Sequence, residues 1–190
     1  MVWVLTPDAL IASVGTEIYL EGYTPWSLWE EQIGVGWQRS KIQEIATQFA
    51  DLKPQPSAEQ RPNKVSYYLT EAAAIETIPR LRQVLRQQSL AAEIIYSGHR
   101  DLDILPKASN KGAAVQFLQQ QWSLNNGVAC GDSGNDISLF SYDLPYGILV
   151  GNAQPELLLW YELNATECHY LAHAHCARGI LEGLQHFGFI

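Results

Sequence analysis

The sequence predicts an α/β protein built as a doubly wound parallel core with an inserted α+β cap. Two observations predict this class. After residue 105, short apolar runs alternate with helical segments, which is the rhythm of a parallel sheet covered on both faces. Between residues 22 and 104 the rhythm changes to strand, helix, strand, strand after an opening helical stretch, and that order suits an antiparallel sheet with helices on one side. The expected organisation is therefore core over 1–21, cap over 22–104 and core again over 105–190. A chain of 190 residues can bury one ample core or two small ones.

The elements follow in order. The apolar run Leu10–Val14 ends at Gly15 and predicts a buried core strand. Trp26–Leu52 predicts helix, interrupted near Gly34 and Gly36, with Ile42, Ile45, Ala46 and Phe49 at helical spacing. Pro54, Pro56 and Pro62 mark a loop. Val65–Leu69 predicts a strand, and Glu71–Gln88 a helix with Ile75, Ile78, Leu81 and Leu85 on one face. Glu93–Tyr96 and Asp101–Leu105 predict two more strands, closed by Pro106. Ser109 is a candidate N-cap for the next helix. Strands at Gly127–Cys130 and Tyr146–Val150 then alternate with helices after Gly134 and over Gln154–Tyr161. A surface turn and a last helix, Cys176–Phe187, end the chain.

Composition excludes several classes. With 47% hydrophobic and 17% charged residues, the chain is globular rather than disordered. The formal net charge of −8 and the lack of any Lys/Arg cluster argue against a nucleic-acid partner. The N-terminal residues carry no basic stretch, Asp8 interrupts the apolar run, and no run is long enough to span a membrane. Cys130, Cys168 and Cys176 form no disulfide framework. A cytoplasmic location is expected.

The strongest chemical signal is Gly131-Asp132-Ser133-Gly134-Asn135-Asp136, directly after an apolar strand. Ligands of parallel sheets collect at the carboxyl ends of the strands. Two carboxylates four residues apart in a strand-to-helix turn can converge on one hard cation, and magnesium prefers such oxygen donors. The bland alternative is an acidic first turn that complements a helix dipole. The second signal is Lys111, in the first turn of a helix within Ser109-Asn110-Lys111-Gly112. A lysine there is unfavourable for the dipole. It would serve better as an ammonium that balances phosphate and carboxylate charge.

Pro106-Lys107-Ala108-Ser109-Asn110-Lys111-Gly112 and the acidic stretch together resemble the third and fourth motifs of haloacid-dehalogenase phosphatases. Five further stretches resemble the sucrose-phosphate phosphatase branch, its cyanobacterial members above all. They are Val14–Tyr19, Leu52–Gln55, Lys64–Tyr67, Asp101–Pro106 and Asn152–Leu158. The resemblance implies hydrolysis of sucrose 6-phosphate with Mg2+, through an aspartyl-phosphate formed by one aspartate. A second aspartate two residues later would protonate the leaving oxygen and then activate water. It implies Lys111, Asp132 and Asp136 as catalytic residues, with Asp132 the main magnesium ligand and Asp136 a second, direct or through water. It implies Asn135 beside the phosphate, and Glu17, Lys53, Gln55 and Lys64 as contacts for sugar hydroxyls.

One feature of the family pattern is not found. No Asp-X-Asp-X-Thr stretch occurs in the 190 residues, and Asp101-Leu102-Asp103-Ile104-Leu105 has Leu where Thr belongs. The resemblance therefore implies a core incomplete at its N-terminal side. Of the expected core strand order 5-4-1-2-3, only strands three to five would be represented. The chain alone is then expected to be inactive. The alternative is a non-catalytic module that binds sugar phosphate or docks on sucrose-phosphate synthase.

Two other clusters invite attention. Cys168, His169, His173, His175 and Cys176 could suggest zinc, but their spacing is not that of a finger or ribbon. Trp26, Trp29 and Trp37 could offer a ring to a sugar, although burial is the better expectation for each.

Overall fold

The protein is described from a computed structural model, which covers residues 6–107, 109–141 and 146–190. Strand β1 (Leu10–Ala12) runs antiparallel to β2 (Glu17–Leu20), and β3 (Thr24–Pro25) adds a third antiparallel strand. The expected core strand at Leu10–Val14 is thus overturned: β1 stops after three residues and does not join the parallel sheet. The cause is local. Ser13, Val14 and Gly15 all take positive φ, at 50, 63 and 103°, and turn the chain back on itself. Gly15 has a second reason to be glycine, because a Cβ there would lie 2.3 Å from the backbone carbon of Asn110.

Helices α1 (Ser27–Gly34) and α2 (Arg39–Ala46) replace one long helix, broken where Gly36 turns left-handed at φ 75°. The cap sheet contains β4 (Lys53–Pro54), β5 (Val65–Tyr68), β6 (Ala92–Ser97) and β7 (Asp101–Pro106). Its order is β4-β5-β7-β6 and every pair is antiparallel. Helix α3 (Glu71–Gln87) connects β5 to β6, and the Thr70 side chain caps it by accepting the Ala73 N–H. Its buried face is Ala74, Thr77, Leu81 and Leu85. Ile75, expected on that face, is 79% exposed.

Period-two alternation divides the cap sheet. Val65, Tyr67, Ile94, Leu102 and Ile104 turn toward α2 and α3 and form one core with Ile42, Ile45, Leu81 and Leu85. Register pairs Ser66 with Asp103 and Tyr68 with Asp101, so both aspartates lie on the opposite face. A three-residue connection, Gly98 to Arg100, joins β6 to β7; Gly98 and His99 take φ 59 and 53° in a turn closed by the Arg100 N–H on the Ser97 carbonyl. Those angles mark the type I′ geometry that matches strand twist.

Helix α4 (Lys111–Trp122) follows β7. Its Ala113, Ala114, Phe117 and Leu118 pack with Ile18, Trp29 and Ile33. Trp29 is fully buried and donates its indole N–H to the Gly15 carbonyl. Trp26 stands edge-on to Phe117, and Trp37 donates to the Pro62 carbonyl. These partners account for all three tryptophans within the fold.

The parallel sheet contains β8 (Val128–Gly131), β9 (Tyr146–Leu149) and β10 (His169–Leu171), in the order β10-β9-β8. A 3-10 segment, Gly134–Phe140, follows β8, while α5 (Pro155–Asn164) and α6 (Cys176–His186) complete the unit. Strand β10 lies in the stretch read from sequence as a surface turn. It is three partly buried residues without an apolar run, so hydrophobic pattern could not announce it. Among the described residues β8 pairs on one side only. No helix among them is long and apolar enough to cross a membrane.

Candidate active site

The acidic loop is shaped by where its own side chains fold. Gly131 ends β8, and a Cβ there would lie 2.6 Å from the Asp136 Cβ. Glycine is what lets Asp136 tuck beneath the strand end. The buried Asp136 carboxylate then does three things. Its Oδ2 accepts the N–H groups of Asp132 at 2.9 Å and Ser133 at 3.2 Å, and its Oδ1 accepts Lys111 Nζ at 2.6 Å. Asn135 Oδ1 accepts the same ammonium at 2.6 Å, together with the Ser133 hydroxyl at 3.1 Å.

Lys111 reaches this loop because α4 begins where it does. Asn110, not Ser109, is the N-cap: its side-chain oxygen accepts the Ala113 N–H at 3.0 Å, and its amide donates to Glu93. Ser109 is buried and donates to the Pro106 carbonyl. A second tie runs from the Gly112 N–H to the Ser138 hydroxyl. The unfavourable position of a cation at a helix start is thereby offset by a short, charge-assisted pair.

Asp132 differs from Asp136. It is exposed, and its carboxylate accepts no hydrogen bond from the described residues. One carboxylate therefore builds the loop and the other is offered to whatever occupies it. The donor set, oxygen only with one open carboxylate, has the chemistry a magnesium ion with several waters requires.

The four sugar-contact candidates are placed less uniformly. Glu17 accepts the Ser13 hydroxyl at 2.6 Å and pairs with Arg61 at 3.4 Å. Gln55 donates to the Tyr67 carbonyl and to Asp101 Oδ1 at 3.0 Å. Lys64 is buried and lies 3.3 Å from Asp103, which also accepts the Ser66 hydroxyl. Lys53 stands exposed on β4, outside these networks. Lys111, Asn135, Asp132 and Asp136 thus form one group, and Gln55 and Lys64 form another with Asp101 and Asp103. Sequence reasoning did not single out Arg61, Gln60, whose amide donates to the Ser66 carbonyl and accepts the Ser66 N–H, or the structural duty of Asp101 and Asp103. The alternation Asp101-Leu102-Asp103-Ile104 carried that signal, since period two places both carboxylates on one face.

The Lys64–Asp103 pair makes a prediction for the fold. Lys64→Met leaves Asp103 buried with only a hydroxyl partner, and should destabilise the cap by about 3–5 kcal/mol. Denaturant melts of wild type and variant measure this. Loss below 1 kcal/mol would mean that Asp103 finds water instead.

A cleft of about 550 Å³ lies between β6 and the acidic loop, with Glu93, Tyr96, Asn110, Asn135 and Ser138 among its walls. A larger one, about 740 Å³, adjoins it on the side of Arg86 and Lys107 and shares Arg82, Glu93 and Asn110. The smaller cleft meets the acidic loop at Gly134 and Asn135, the residue that also accepts the Lys111 ammonium; the larger does not touch the loop.

The cysteine–histidine cluster does not converge. His169 lies against Phe140 and Trp160, and burial pushes its imidazole below the ordinary range. His173 faces Glu182, whose carboxylate is held at about 2 by the N–H groups of His173 and Ala174 and the Tyr170 hydroxyl. The Cys176 N–H donates to Asn152. Among the described residues no three His, Cys, Asp or Glu side chains meet closely enough to hold a metal.

A family model described as sucrose-6F-phosphate phosphohydrolase matches residues 2–188. The chain belongs to this family. It is 42% identical over 191 aligned residues to probable sucrose-phosphatase 2 of Arabidopsis thaliana, covering 96% of this chain and 45% of that protein. The chain spans about half the length of the curated relatives it matches. The crystal structure of the sucrose-phosphatase from Synechocystis sp. PCC6803, in complex with sucrose and phosphate, superposes with a TM-score of 0.91 at 40% identity. That match covers 97% of this chain and 75% of the other. BT4131, a sugar phosphatase of haloacid-dehalogenase subclass IIB, shares the fold at a TM-score of 0.66 and 15% identity, over 96% of this chain and 76% of its own. The expected haloacid-dehalogenase-like α/β fold is thus found.

Proposed function

We propose that this chain provides the magnesium loop, the phosphate lysine and the sugar-reading cap of a sucrose 6-phosphate phosphatase. The observation that carries the proposal is the division of labour at the strand end. Asp136 and Asn135 fix the Lys111 ammonium, while Asp132, in the same turn, exposes a carboxylate that accepts no hydrogen bond among the described residues. The Synechocystis relative, with sucrose and phosphate in its structure, supports the substrate class.

In this reading Asp132 would hold magnesium, and Asp136 would support it, as a second ligand or by fixing the loop amides and Lys111. Bound magnesium would withdraw charge from the phosphoryl oxygens. Lys111 would offer its third N–H to the same group, with no reorganisation because two acceptors already aim it. Asn135 orients that lysine and borders the cleft. The attacking aspartate would come from an Asp-X-Asp-X-Thr segment, a motif that residues 1–190 do not contain. Glu17, Lys53, Gln55 and Lys64 read the sugar, Lys53 most directly because it is exposed and Lys64 through Asp103. A disaccharide offers hydroxyls that suit carboxylate, amide and ammonium alike.

The test uses a chain extended at its N-terminus with a family Asp-X-Asp-X-Thr segment. Phosphate release should favour sucrose 6-phosphate over mannosylglycerate and trehalose phosphates. Lys53→Ala should lower kcat/KM for sucrose 6-phosphate about tenfold, the worth of one charged hydrogen bond, and leave p-nitrophenyl phosphate turnover nearly constant. Gln55→Ala should show the same sign. Equal losses on both substrates would assign these residues to structure.

A further inference from the structure

We infer that Glu156 is a positioning residue, a clamp that fixes the cap's β6–β7 turn to the acidic loop. It lies in the first turn of α5, and its side chain reaches two segments distant in sequence. Oε1 accepts the Gly134 N–H at 3.2 Å, inside the acidic loop, and the Gly98 N–H at 3.3 Å, at the tip of the cap hairpin. One carboxylate oxygen therefore bridges the loop that carries Asp132 to the sheet that carries Asp101 and Asp103.

Three independent features point the same way. The first is Gly134, where a Cβ would lie 2.6 Å from Glu156 Cγ and 3.3 Å from the Tyr96 carbonyl. Cap backbone and core side chain meet on this residue, and any larger one would hold them apart. The second is the other carboxylate oxygen. Glu156 Oε2 is buried without a hydrogen-bond partner, and His99 Nε2 is 3.8 Å away. A buried carboxylate oxygen is costly unless a donor approaches, so the geometry favours inward movement of the hairpin tip. The third is His99 itself. It occupies a left-handed position of a type I′ turn at φ 53°, where Asn or Gly is preferred. Its ring explains the exception: Nδ1 lies 3.0 Å from Glu71 Oε1 while Nε2 faces Glu156.

The loop is held from the same helix start by a second bond, from the Gln154 N–H to the Asp132 carbonyl at 2.7 Å. The segment Gln154–Glu156 thus fixes the backbone of Asp132 and Gly134 together, and only Glu156 carries the connection on to the cap. The clamp concerns the protein alone and does not depend on the identity of the substrate.

Amide hydrogen exchange on the 190-residue chain, read by NMR without metal or substrate, tests this. Glu156→Ala should speed exchange at Gly98 and Gly134 by about tenfold or more, the loss of a charge-assisted bond at each. The cap-core amides of Leu81 and Ile104 should keep their wild-type rates. Glu156→Gln, whose carbonyl oxygen can still accept both N–H groups, should restore protection to within about threefold. His99→Asn, a better type I′ residue too short to reach Glu156, should speed Gly98 more than Gly134. Unchanged exchange at both glycines in Glu156→Ala would overturn the clamp. So would uniformly faster exchange across the chain in both Glu156 variants, because Glu156 would then be a folding residue. Failure of the phosphatase proposal would leave these rates untouched.

Discussion

Asp132→Ala should remove magnesium binding from this chain. Replacing a group that only supports a ligand typically costs ten- to a hundredfold in affinity. A direct carboxylate ligand contributes more, so the loss should exceed about a hundredfold and pass beyond the range of titration calorimetry. Asp136→Asn should cost less, about ten- to a hundredfold, for a reason visible in its bonds. The asparagine oxygen can still accept the Asp132 and Ser133 N–H groups, and only the charge facing Lys111 is lost. The same substitution should leave Lys111 resting on Asn135 alone, so phosphate affinity should become less dependent on magnesium. Calorimetry with magnesium on wild type and both variants measures the order. Equal affinity in wild type and Asp132→Ala would remove the metal-site proposal. A larger loss at Asp136 than at Asp132 would exchange their roles.

Much of this site was legible in the sequence because its chemistry is local. Gly131–Asp136 spans one turn, so strand, glycine and carboxylates could be read together, and the structure places Lys111 against that turn. The resemblance ranked Asp132 above Asp136 as a ligand, but the physical reason for that division was not legible. Spacing alone makes Asp132 and Asp136 equivalent, and only the backbone path shows that Asp136 turns inward and is satisfied by amides. The cap was legible for a similar reason. Val65–Tyr68 alternates loosely and is rich in aromatic residues, Asp101–Ile104 alternates acidic with apolar residues, and both are local properties.

What escaped depends on chain reversal and on contacts between distant segments. Leu10–Val14 has the composition of a buried strand, yet three consecutive left-handed residues fold it into a hairpin. Nothing in Ser13 or Val14 favours positive φ, and the contact of Gly15 with Asn110 and Lys111 is not a sequence signal. Strand β10 is recruited by its parallel neighbour β9 rather than by its own pattern. Ile75 fell on the wrong face of α3 because the buried stripe is Ala74, Thr77, Leu81 and Leu85, one position away. Glu156 was not singled out, and an acid in the first turn of a helix already has a reason in the helix dipole. Its two amide partners lie 22 and 58 residues away.

The second large effect concerns catalysis and stability together. The 190-residue chain by itself should release no phosphate from sucrose 6-phosphate, and an N-terminal segment bearing Asp-X-Asp-X-Thr should confer release. The chemical argument is that Lys111 and magnesium, in the proposed roles, would neutralise charge but supply no nucleophile to phosphorus. The structural argument is separate. Strand β8 carries the acidic loop at its end and pairs on one side only among the described residues. In the strand order the resemblance implies, the nucleophile strand takes the other side, which would deliver its aspartate beside Asp132. Pairing along four residues of β8 would also satisfy an open edge, worth about 2–3 kcal/mol net and roughly 5–10 °C in Tm for a domain of this size. Supplying the segment as a separate peptide should raise both quantities with a saturable dependence on concentration. Brisk magnesium-dependent release from the bare chain would overturn this and demand another nucleophile. Asp101 and Asp103 form the only Asp-X-Asp pair in the sequence. Asp103 is buried against Lys64 and Ser66, and Asp101 is bonded to Gln55 on the cap sheet. A carboxylate already neutralised and hydrogen-bonded is a poor nucleophile, which is the physical reason to expect silence from the chain alone.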